Sequence, residues 1–110
     1  MSEDVFVALA DPTRRAVLDL LATRGEGTAT SLAAELPVSR VAVIKHLAVL
    51  DRAGLVEARR SGRELLYRVN IERLDRVTRS LSDLAEAWDR RLARIKRLAE
   101  AAVRERDARG

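Results

Sequence analysis

The 110-residue sequence has no cysteine and a single histidine, His46. The chain by itself therefore offers no disulfide, no thiolate metal site, no cysteine nucleophile and no site built from several histidines. It has no apolar run near the roughly 18 residues that a membrane span needs. Its first residues, Met1-Ser2-Glu3-Asp4-Val5, are acidic, whereas a signal peptide begins with basic residues. These absences predict a soluble, cytoplasmic protein with no membrane partner.

The residues that are present suit one small folded domain. Apolar residues make up 47% of the chain, which is enough to build a core despite a charged content of 35%. A chain of this length forms one compact unit, so we expect a single domain over residues 1–110.

Basic residues are concentrated in the middle of the chain. Residues 36–68 contain seven basic and three acidic residues, whereas residues 1–35 contain three basic and six acidic residues. A local excess of positive charge is typical of a surface that faces a polyanion, and an arginine-rich solvated surface has the same pattern. Charge alone leaves both interpretations open.

Helical patterns fill the first half of the chain. Asp11 followed by Pro12 is typical of a helix start, Thr28 opens a later helix, and Ser39 is placed to cap another after the turn at Pro37-Val38. Apolar residues at helical spacing mark one side of each of four predicted helices: Val5, Phe6 and Leu9; Ala16, Val17, Leu20 and Leu21; Leu32, Ala33 and Leu36; Val43, Leu47 and Leu50.

The pattern changes after Gly54. Two six-residue runs, residues 55–60 and 64–69, contain β-compatible residues, and Ser61-Gly62-Arg63 between them is typical of a hairpin turn. We expect a two-stranded wing over about residues 55–69, with an arginine-rich tip. Its predicted core-facing residues are Leu55, Leu65, Tyr67 and Val69.

One long helix is predicted over residues 71–108, because no proline or glycine occurs between Asn70 and Gly110. Its apolar residues recur at steps of three and four, which is the spacing of a coiled-coil seam. A helix of about 35 residues is roughly 50 Å long, more than the diameter of a small globule, so we expect part of it to pack on another chain. The predicted dimerisation residues are Leu81, Leu84, Trp88, Leu92 and Ile95 of this helix, and Val5, Phe6 and Leu9 of the first helix.

Residues 30–50 have the pattern of a helix-turn-helix, whose second helix enters the major groove of DNA. Arg40 can donate to guanine, Lys45 to a base or a phosphate, and Ile44 or Ala42 can touch a thymine methyl group. Ile44 has a second interpretation, as part of a wide buried stripe. The predicted DNA contacts on this helix are Ser39, Arg40, Ala42, Ile44, Lys45 and His46.

Three arginines, Arg59, Arg60 and Arg63, flank the predicted hairpin turn, where they can reach phosphates or the minor groove of DNA. His46 has no carboxylate or nucleophile near it in the sequence, so DNA contact or packing against the wing is favoured over catalysis. No nucleophile–base pair and no phosphate-binding glycine loop is present. We therefore predict no enzymatic activity, no catalytic residue and no cofactor.

Several motifs resemble the ArsR/SmtB family of winged helix-turn-helix repressors. They are Ala8-Leu9-Ala10-Asp11-Pro12-Thr13-Arg14-Arg15, Ser39-Arg40-Val41-Ala42-Val43-Ile44-Lys45-His46-Leu47, Leu50-Asp51-Arg52-Ala53-Gly54-Leu55-Val56 and the wing Arg60-Ser61-Gly62-Arg63-Glu64-Leu65-Leu66-Tyr67, within about residues 5–70. The resemblance implies a mainly α-helical winged helix-turn-helix with a small β-hairpin. It also implies a homodimeric bacterial or archaeal regulator that binds an inverted-repeat operator and usually regulates its own gene.

The chain departs from the metal-sensing members of that family. Some of those members bind metal through a cysteine pair, and others through Asp, His and Glu of the last helix. Here cysteine is absent, and the last helix has Asp75, Asp83, Glu86 and Asp89 but no histidine. The resemblance is therefore to the branch without metal-ligand cysteines, and we expect no metal site. A small-molecule or protein effector stays open, with apolar space between the final helices and the helix of Val5, Phe6 and Leu9 as its candidate site.

The leading hypothesis is a sequence-specific homodimeric repressor whose partners are double-stranded DNA and a second copy of the chain. The alternative is a winged-helix assembly module, in which the long helix mediates association and DNA binding is weak or non-specific. Replacing Arg40 and Lys45 by alanine separates the two hypotheses, because only the first expects binding to the operator to fall while dimerisation survives.

Overall fold

The computed structural model describes residues 3–109, so expectations for Met1, Ser2 and Gly110 lie outside the described residues. The elements are helices α1 (Glu3–Ala10), α2 (Pro12–Arg24), α3 (Ala29–Ala33) and α4 (Arg40–Arg52), strands β1 (Val56–Ser61) and β2 (Glu64–Val69), and helix α5 (Ile71–Arg109). The predicted fold class, mainly helical with a small β-hairpin and a long C-terminal helix, is confirmed.

The chain divides into two compact units after Val77. We call the described residues up to Val77 the body and the remainder of α5, residues 78–109, the distal helix. The boundary lies inside α5 because Leu74 packs against the core of the body and Val77 is only 3% exposed. Within the described residues, no helix is both long enough and apolar enough to cross a membrane.

Polar side chains start three of the helices, as the sequence predicted. The Asp11 carboxylate accepts hydrogen bonds from the backbone N–H groups of Thr13 at 2.8 Å and Arg14 at 3.1 Å. Thr28 and Ser31 form a reciprocal capping box at α3, and the Ser39 hydroxyl accepts the backbone N–H of Ala42 at 3.1 Å. Each cap satisfies donors that the first turn of a helix leaves without a partner.

The core of the body is aliphatic. The buried stripe that the sequence predicted for α4 is confirmed, because Val43, Leu47 and Leu50 are fully buried. Helix α4 therefore has one face in the core and the opposite face in solvent. The largest fully buried side chains are Val5, Val17, Leu21, Leu32, Val43, Leu47, Leu50 and Leu55.

The wing is an antiparallel hairpin in which Ser61 pairs with Glu64 across a two-residue turn. Gly62 adopts φ +63° in that turn, a conformation that glycine reaches without steric cost. At the base of the wing, the Gly27 N–H donates to the Tyr67 carbonyl at 3.0 Å and the Tyr67 N–H donates to the Gly27 carbonyl at 2.8 Å. This pair of bonds attaches β2 to the loop that precedes α3.

Leu65 was predicted to face the core, and that prediction is wrong. Its side chain is 44% exposed, because Leu65 pairs with Arg60 near the turn, away from the base of the wing where Tyr67 joins the body. Leu55 does face the core as predicted, although it precedes β1 and lies outside the strand.

Candidate nucleic-acid interface

The fold of α4 determines which of its side chains reach solvent. Because Val43, Leu47 and Leu50 hold one face of the helix in the core, the residues on the opposite face project outward. Val41, at 61% exposed, and Lys45 lie one turn apart on that outer face. Lys45 belongs to the predicted DNA contacts and Val41 does not, although the sequence shows the two four residues apart on the same helix.

A groove of about 280 Å³ separates α4 from the wing. Arg40 and Ile44 line it from α4, and Arg60 and Arg63 line it from the hairpin. Ile44 is 40% exposed, so the alternative that it belongs to the buried stripe is wrong. The complete lining is Ala29, Arg40, Ile44, Arg60, Arg63, Glu64, Leu65 and Tyr67. The groove therefore combines three guanidinium groups with an apolar floor.

Helix α3 holds the side chain of Arg40. The Nε of Arg40 donates to the Thr30 Oγ1 at 3.0 Å, across the helix-turn-helix. Within the described residues, the two terminal nitrogens of Arg40 have no hydrogen-bond partner. The sequence did not indicate this role for Thr30, because the residues lie ten positions apart and nothing in their spacing pairs them.

The two faces of the wing differ in charge pairing. Side chains alternate between faces along a strand, so Arg59 lies on the opposite face from Arg60. The Arg59 guanidinium pairs with the Glu26 carboxylate at 3.4 Å, whereas Arg60 and Arg63 have no carboxylate partner within the described residues. The sequence grouped the three arginines together. The structure brings only Arg60 and Arg63 together with Arg40.

Tyr67 forms part of the same groove lining, near the base of the wing. Partial burial, with a smaller effect from the negative charge of Asp51, raises the pKa of the Tyr67 phenol above its ordinary value. A tyrosine phenol can donate a hydrogen bond, and this shift leaves that ability unchanged.

Ala42 and His46 are half-buried and do not line the groove. The Nδ1 of His46 is buried without a hydrogen-bond partner among the described residues, which favours packing over DNA contact for this side chain. The expectation that it packs against the wing gains no support. The pKa of the Asp11 carboxyl is held below its ordinary value mainly by the backbone N–H of Arg14, with smaller contributions from the backbone N–H of Thr13 and from the neighbouring side chains.

The predicted dimerisation residues of α1 and of the distal helix differ in exposure. The prediction that Val5 contributes to dimerisation is wrong, because its side chain is fully buried in the core of its own chain. Leu9 is half-buried against that core, whereas Phe6 is exposed. The side chains of Leu81, Leu84, Trp88, Leu92 and Ile95 on the distal helix are all exposed.

Two further features bear on ligands. No group of three or more His, Asp or Glu side chains in the described part of the chain is arranged to hold a metal ion. An open apolar groove of about 580 Å³ lies on the body, and it is lined by Leu9, Pro12, Arg15, Ala16, Leu18, Asp19, Ala22, Val69 and Leu74.

The chain is similar to known helix-turn-helix regulators. A family profile described as a helix-turn-helix domain matches residues 9–59. The transcriptional repressor SdpR of Bacillus subtilis is 37% identical over 67 residues, which are 61% of this chain and 73% of that protein. An ArsR-like transcriptional regulator from Rhodococcus sp. RHA1 is 47% identical, with a TM-score of 0.71 over 87% of this chain and 90% of that one.

A second solved structure is informative about assembly. The homodimeric winged helix-turn-helix DNA-binding domain Mb0332 from Mycobacterium bovis, a possible ArsR-family regulator, is 34% identical to this chain. Its TM-score is 0.61, and the match covers 76% of each chain.

Proposed function

The chain belongs to the ArsR/SmtB family of winged helix-turn-helix transcriptional regulators, and we propose that it acts as a homodimeric repressor of an inverted-repeat operator. The groove between α4 and the wing is the observation that carries this proposal. It presents Arg40, Arg60 and Arg63 from two elements toward one space, and none of them has a carboxylate partner among the described residues. Such a surface attracts the phosphate backbone of DNA and releases its counterions.

In the proposed complex, base reading and backbone contact fall to different residues. Arg40 reads guanine, and Lys45 donates to a base or a phosphate on the outer face of α4. Val41 and Ile44 offer apolar contact to thymine methyl groups, and both are exposed at the N-terminal half of α4. Ser39 and Ala42 lie near the DNA at the start of this helix.

The wing arginines hold the nucleic-acid backbone or enter the minor groove. Arg60 and Arg63 face α4 and are placed for this role. Arg59 lies on the other face and already pairs with Glu26, so its contribution is smaller.

Dimerisation supplies the second half-site. The two-fold symmetry of a homodimer requires an operator with matching symmetry, in which the half-sites lie about one helical turn of DNA apart. Phe6 and the exposed apolar residues of the distal helix are the candidate contacts. SdpR is named as a repressor and Mb0332 as a homodimer, and both support this part of the proposal. Repression of its own gene makes the upstream region of that gene the first operator to test.

The experiment compares binding to that upstream region with binding to a scrambled duplex, measured by fluorescence anisotropy over a salt series. We expect the Arg40→Ala substitution to cost about 1–3 kcal/mol of discrimination between the two duplexes. Arg60→Ala is expected to weaken binding to both duplexes alike and to lower the salt slope by about one. Arg90→Ala on the distal helix serves as the matched control. Equal affinity of the unaltered protein for both duplexes, or a flat salt response, would contradict specific repression and favour an assembly module.

Thr30 provides a finer test of the reading geometry. Because its hydroxyl accepts from Arg40 Nε, Thr30→Val frees the guanidinium while keeping the shape of the side chain. We expect Thr30→Val to reduce discrimination between the two duplexes without changing the salt slope, and Thr30→Ser to restore it. In the Arg40→Ala background the Thr30 substitution is expected to have no effect. An equal loss in both backgrounds would show that Thr30 does not act through Arg40.

A further inference from the structure

We propose that Tyr67 is a further DNA-binding residue, and that its phenol donates a hydrogen bond to the same backbone phosphate that Arg60 binds. This inference rests on the proposed function. It adds an uncharged donor to the arginines that line the groove between α4 and the wing.

The Tyr67 hydroxyl is a donor that the chain itself does not use. Within residues 3–109 it has no hydrogen-bond partner, and it is not buried away from solvent, because the buried side-chain nitrogens or oxygens without a partner belong to Arg14 and His46. Partial burial of the ring raises the pKa of the phenol, which moves the group away from the ionised form that would repel a phosphate. The hydroxyl is therefore available to an acceptor that enters the groove.

The backbone holds Tyr67 in place before any ligand arrives. Tyr67 and Gly27 exchange two hydrogen bonds, of 3.0 and 2.8 Å, which attach β2 to the loop before α3. A Cβ atom at position 27 would lie 3.2 Å from the side chains of both Ser31 and Leu32, so glycine lets α3 approach this loop closely. Because the base of the wing is fixed in this way, ordering the phenol on binding costs little free energy.

The register of the wing sets Arg60 and Tyr67 on the same face. Tyr67 pairs with Ala58, two residues before Arg60, so Arg60 and Tyr67 are diagonal neighbours across the hairpin, and both line the groove. Diagonal neighbours on one face of a sheet lie about 7–8 Å apart, within reach of long and aromatic side chains. A phosphate between them can accept from the guanidinium on one oxygen and from the phenol on another.

The charge around the phenol favours a phosphate as its acceptor. Arg40, Arg60 and Arg63 line the groove with a single acidic residue, Glu64, so positive charge is in excess. Hydrogen bonds to an ionised acceptor are stronger than those to a neutral one, and tyrosine is one of the side chains that contact DNA phosphates. A backbone phosphate therefore gains more in this position than the uncharged edge of a base.

The Tyr67→Phe substitution removes the hydroxyl and keeps the ring. We expect it to weaken binding to the upstream region and to the scrambled duplex alike, by at least about tenfold, because each half-site loses a hydrogen bond to a charged group. The salt slope is expected to stay unchanged, because a neutral donor releases no counterion, whereas Arg60→Ala lowers the slope. Ser82→Ala removes a hydroxyl from the distal helix and is the matched control. The urea midpoint of Tyr67→Phe should equal that of the unaltered protein.

A combination with Arg60→Ala tests whether the two residues hold the same phosphate. In that background we expect Tyr67→Phe to have a smaller effect, because the phosphate is no longer held against the phenol. Operators with one uncharged methylphosphonate linkage in each half-site give a second measure. At one linkage position the effect of Tyr67→Phe should fall, and at the other positions it should persist.

Fluorine NMR follows the phenol without removing it. The chain has one tyrosine, so full-length protein made with fluorotyrosine has a single fluorine resonance next to the hydroxyl. We expect this resonance to shift on binding to the operator, and to shift less when the contacted phosphate is replaced by a methylphosphonate. A resonance that responds to none of the replacements would overturn the inference, even if Tyr67→Phe lowers the stability of the fold.

The outcomes separate this inference from the proposed function. Unaltered binding by Tyr67→Phe would overturn the inference, and so would an equal loss with and without Arg60. A loss confined to the upstream region would show that the phenol reads a base, which also overturns it. Failure of the unaltered protein to prefer its upstream region to the scrambled duplex would contradict the proposed function, which the other outcomes leave standing.

Discussion

The body and the distal helix have the same apolar periodicity and opposite outcomes. In α4 the residues Val43, Leu47 and Leu50 recur at steps of four and three, and all are fully buried within their own chain. In the distal helix Trp88, Leu92 and Ile95 recur at the same steps of four and three, and all are about half exposed. Periodicity therefore identifies the face of a helix that is to be buried, but not the chain that buries it.

The largest expected effect tests whether the body depends on its own core. Leu47→Ala removes a fully buried side chain that the surrounding helices cannot fill, so we expect it to lower the free energy of unfolding by about 2–5 kcal/mol. Urea unfolding followed by circular dichroism measures this loss. The matched control is Leu98→Ala on the distal helix, which is exposed and is expected to stay within about 0.5 kcal/mol. Equal losses for the two variants would remove the distinction between the regions.

The sequence predicted the body well because its signals are local. Helix caps such as Asp11 and Ser39, the Gly62 turn and the α4 stripe each depend on residues a few positions apart. Two predictions were wrong because they needed three-dimensional information. Val5 lies in the core instead of an interface, and Leu65 lies too near the turn of the wing to reach the core.

The sequence predicted which arginines form the candidate site but not how they are arranged or what supports them. The sequence identified Arg40, Arg60 and Arg63, which the fold brings to one groove. It could not separate Arg59 from the other two arginines, because Arg59 and its partner Glu26 lie 33 positions apart in the chain. It also missed the support of Arg40 by Thr30, since an exposed threonine has no pattern that predicts a partner.

The second prediction concerns the contribution of the distal helix to dimerisation. Trp88→Ala removes the largest exposed apolar side chain of the distal helix, and we expect the dimer dissociation constant to rise about 100-fold, equivalent to about 2.7 kcal/mol. Sedimentation over a range of protein concentrations measures the change. Unfolding of the body at concentrations where the protein is monomeric is expected to be unaltered, because no core residue of the body is removed. Arg90→Ala, on the opposite side of the distal helix from Trp88, should change neither quantity.

An unaltered dissociation constant for Trp88→Ala would show that the exposed apolar residues of the distal helix do not form the dimer interface. The exposure of apolar residues on the distal helix would then have a cause other than dimerisation.

The third prediction compares two serines. The Ser39 hydroxyl caps α4, so Ser39→Ala is expected to lower the free energy of unfolding by about 1 kcal/mol. Ser82 lies in the middle of α5, where alanine is the better helix former, so Ser82→Ala is expected to be neutral or slightly stabilising. Urea unfolding of the two variants side by side measures the difference. A loss of equal size at both positions would show that the cap adds nothing to the body.

The smallest expected effect is the acid sensitivity of the body at Asp11. Because the pKa of this carboxyl is lowered in the folded chain, chiefly by the backbone N–H of Arg14, the unfolded chain binds its proton first as the pH falls. The carboxylate therefore stabilises the folded state above its ordinary pKa of 3.8, and this stabilisation is lost as the pH falls through the lower folded value. Asp11→Asn keeps an acceptor for the cap but has no titration, so we expect its urea midpoint to fall less than that of the unaltered protein between about pH 5 and pH 2. The other carboxylates titrate in both proteins, so the difference isolates Asp11. Parallel pH profiles for the two proteins would show that the cap of α2 does not contribute to acid unfolding.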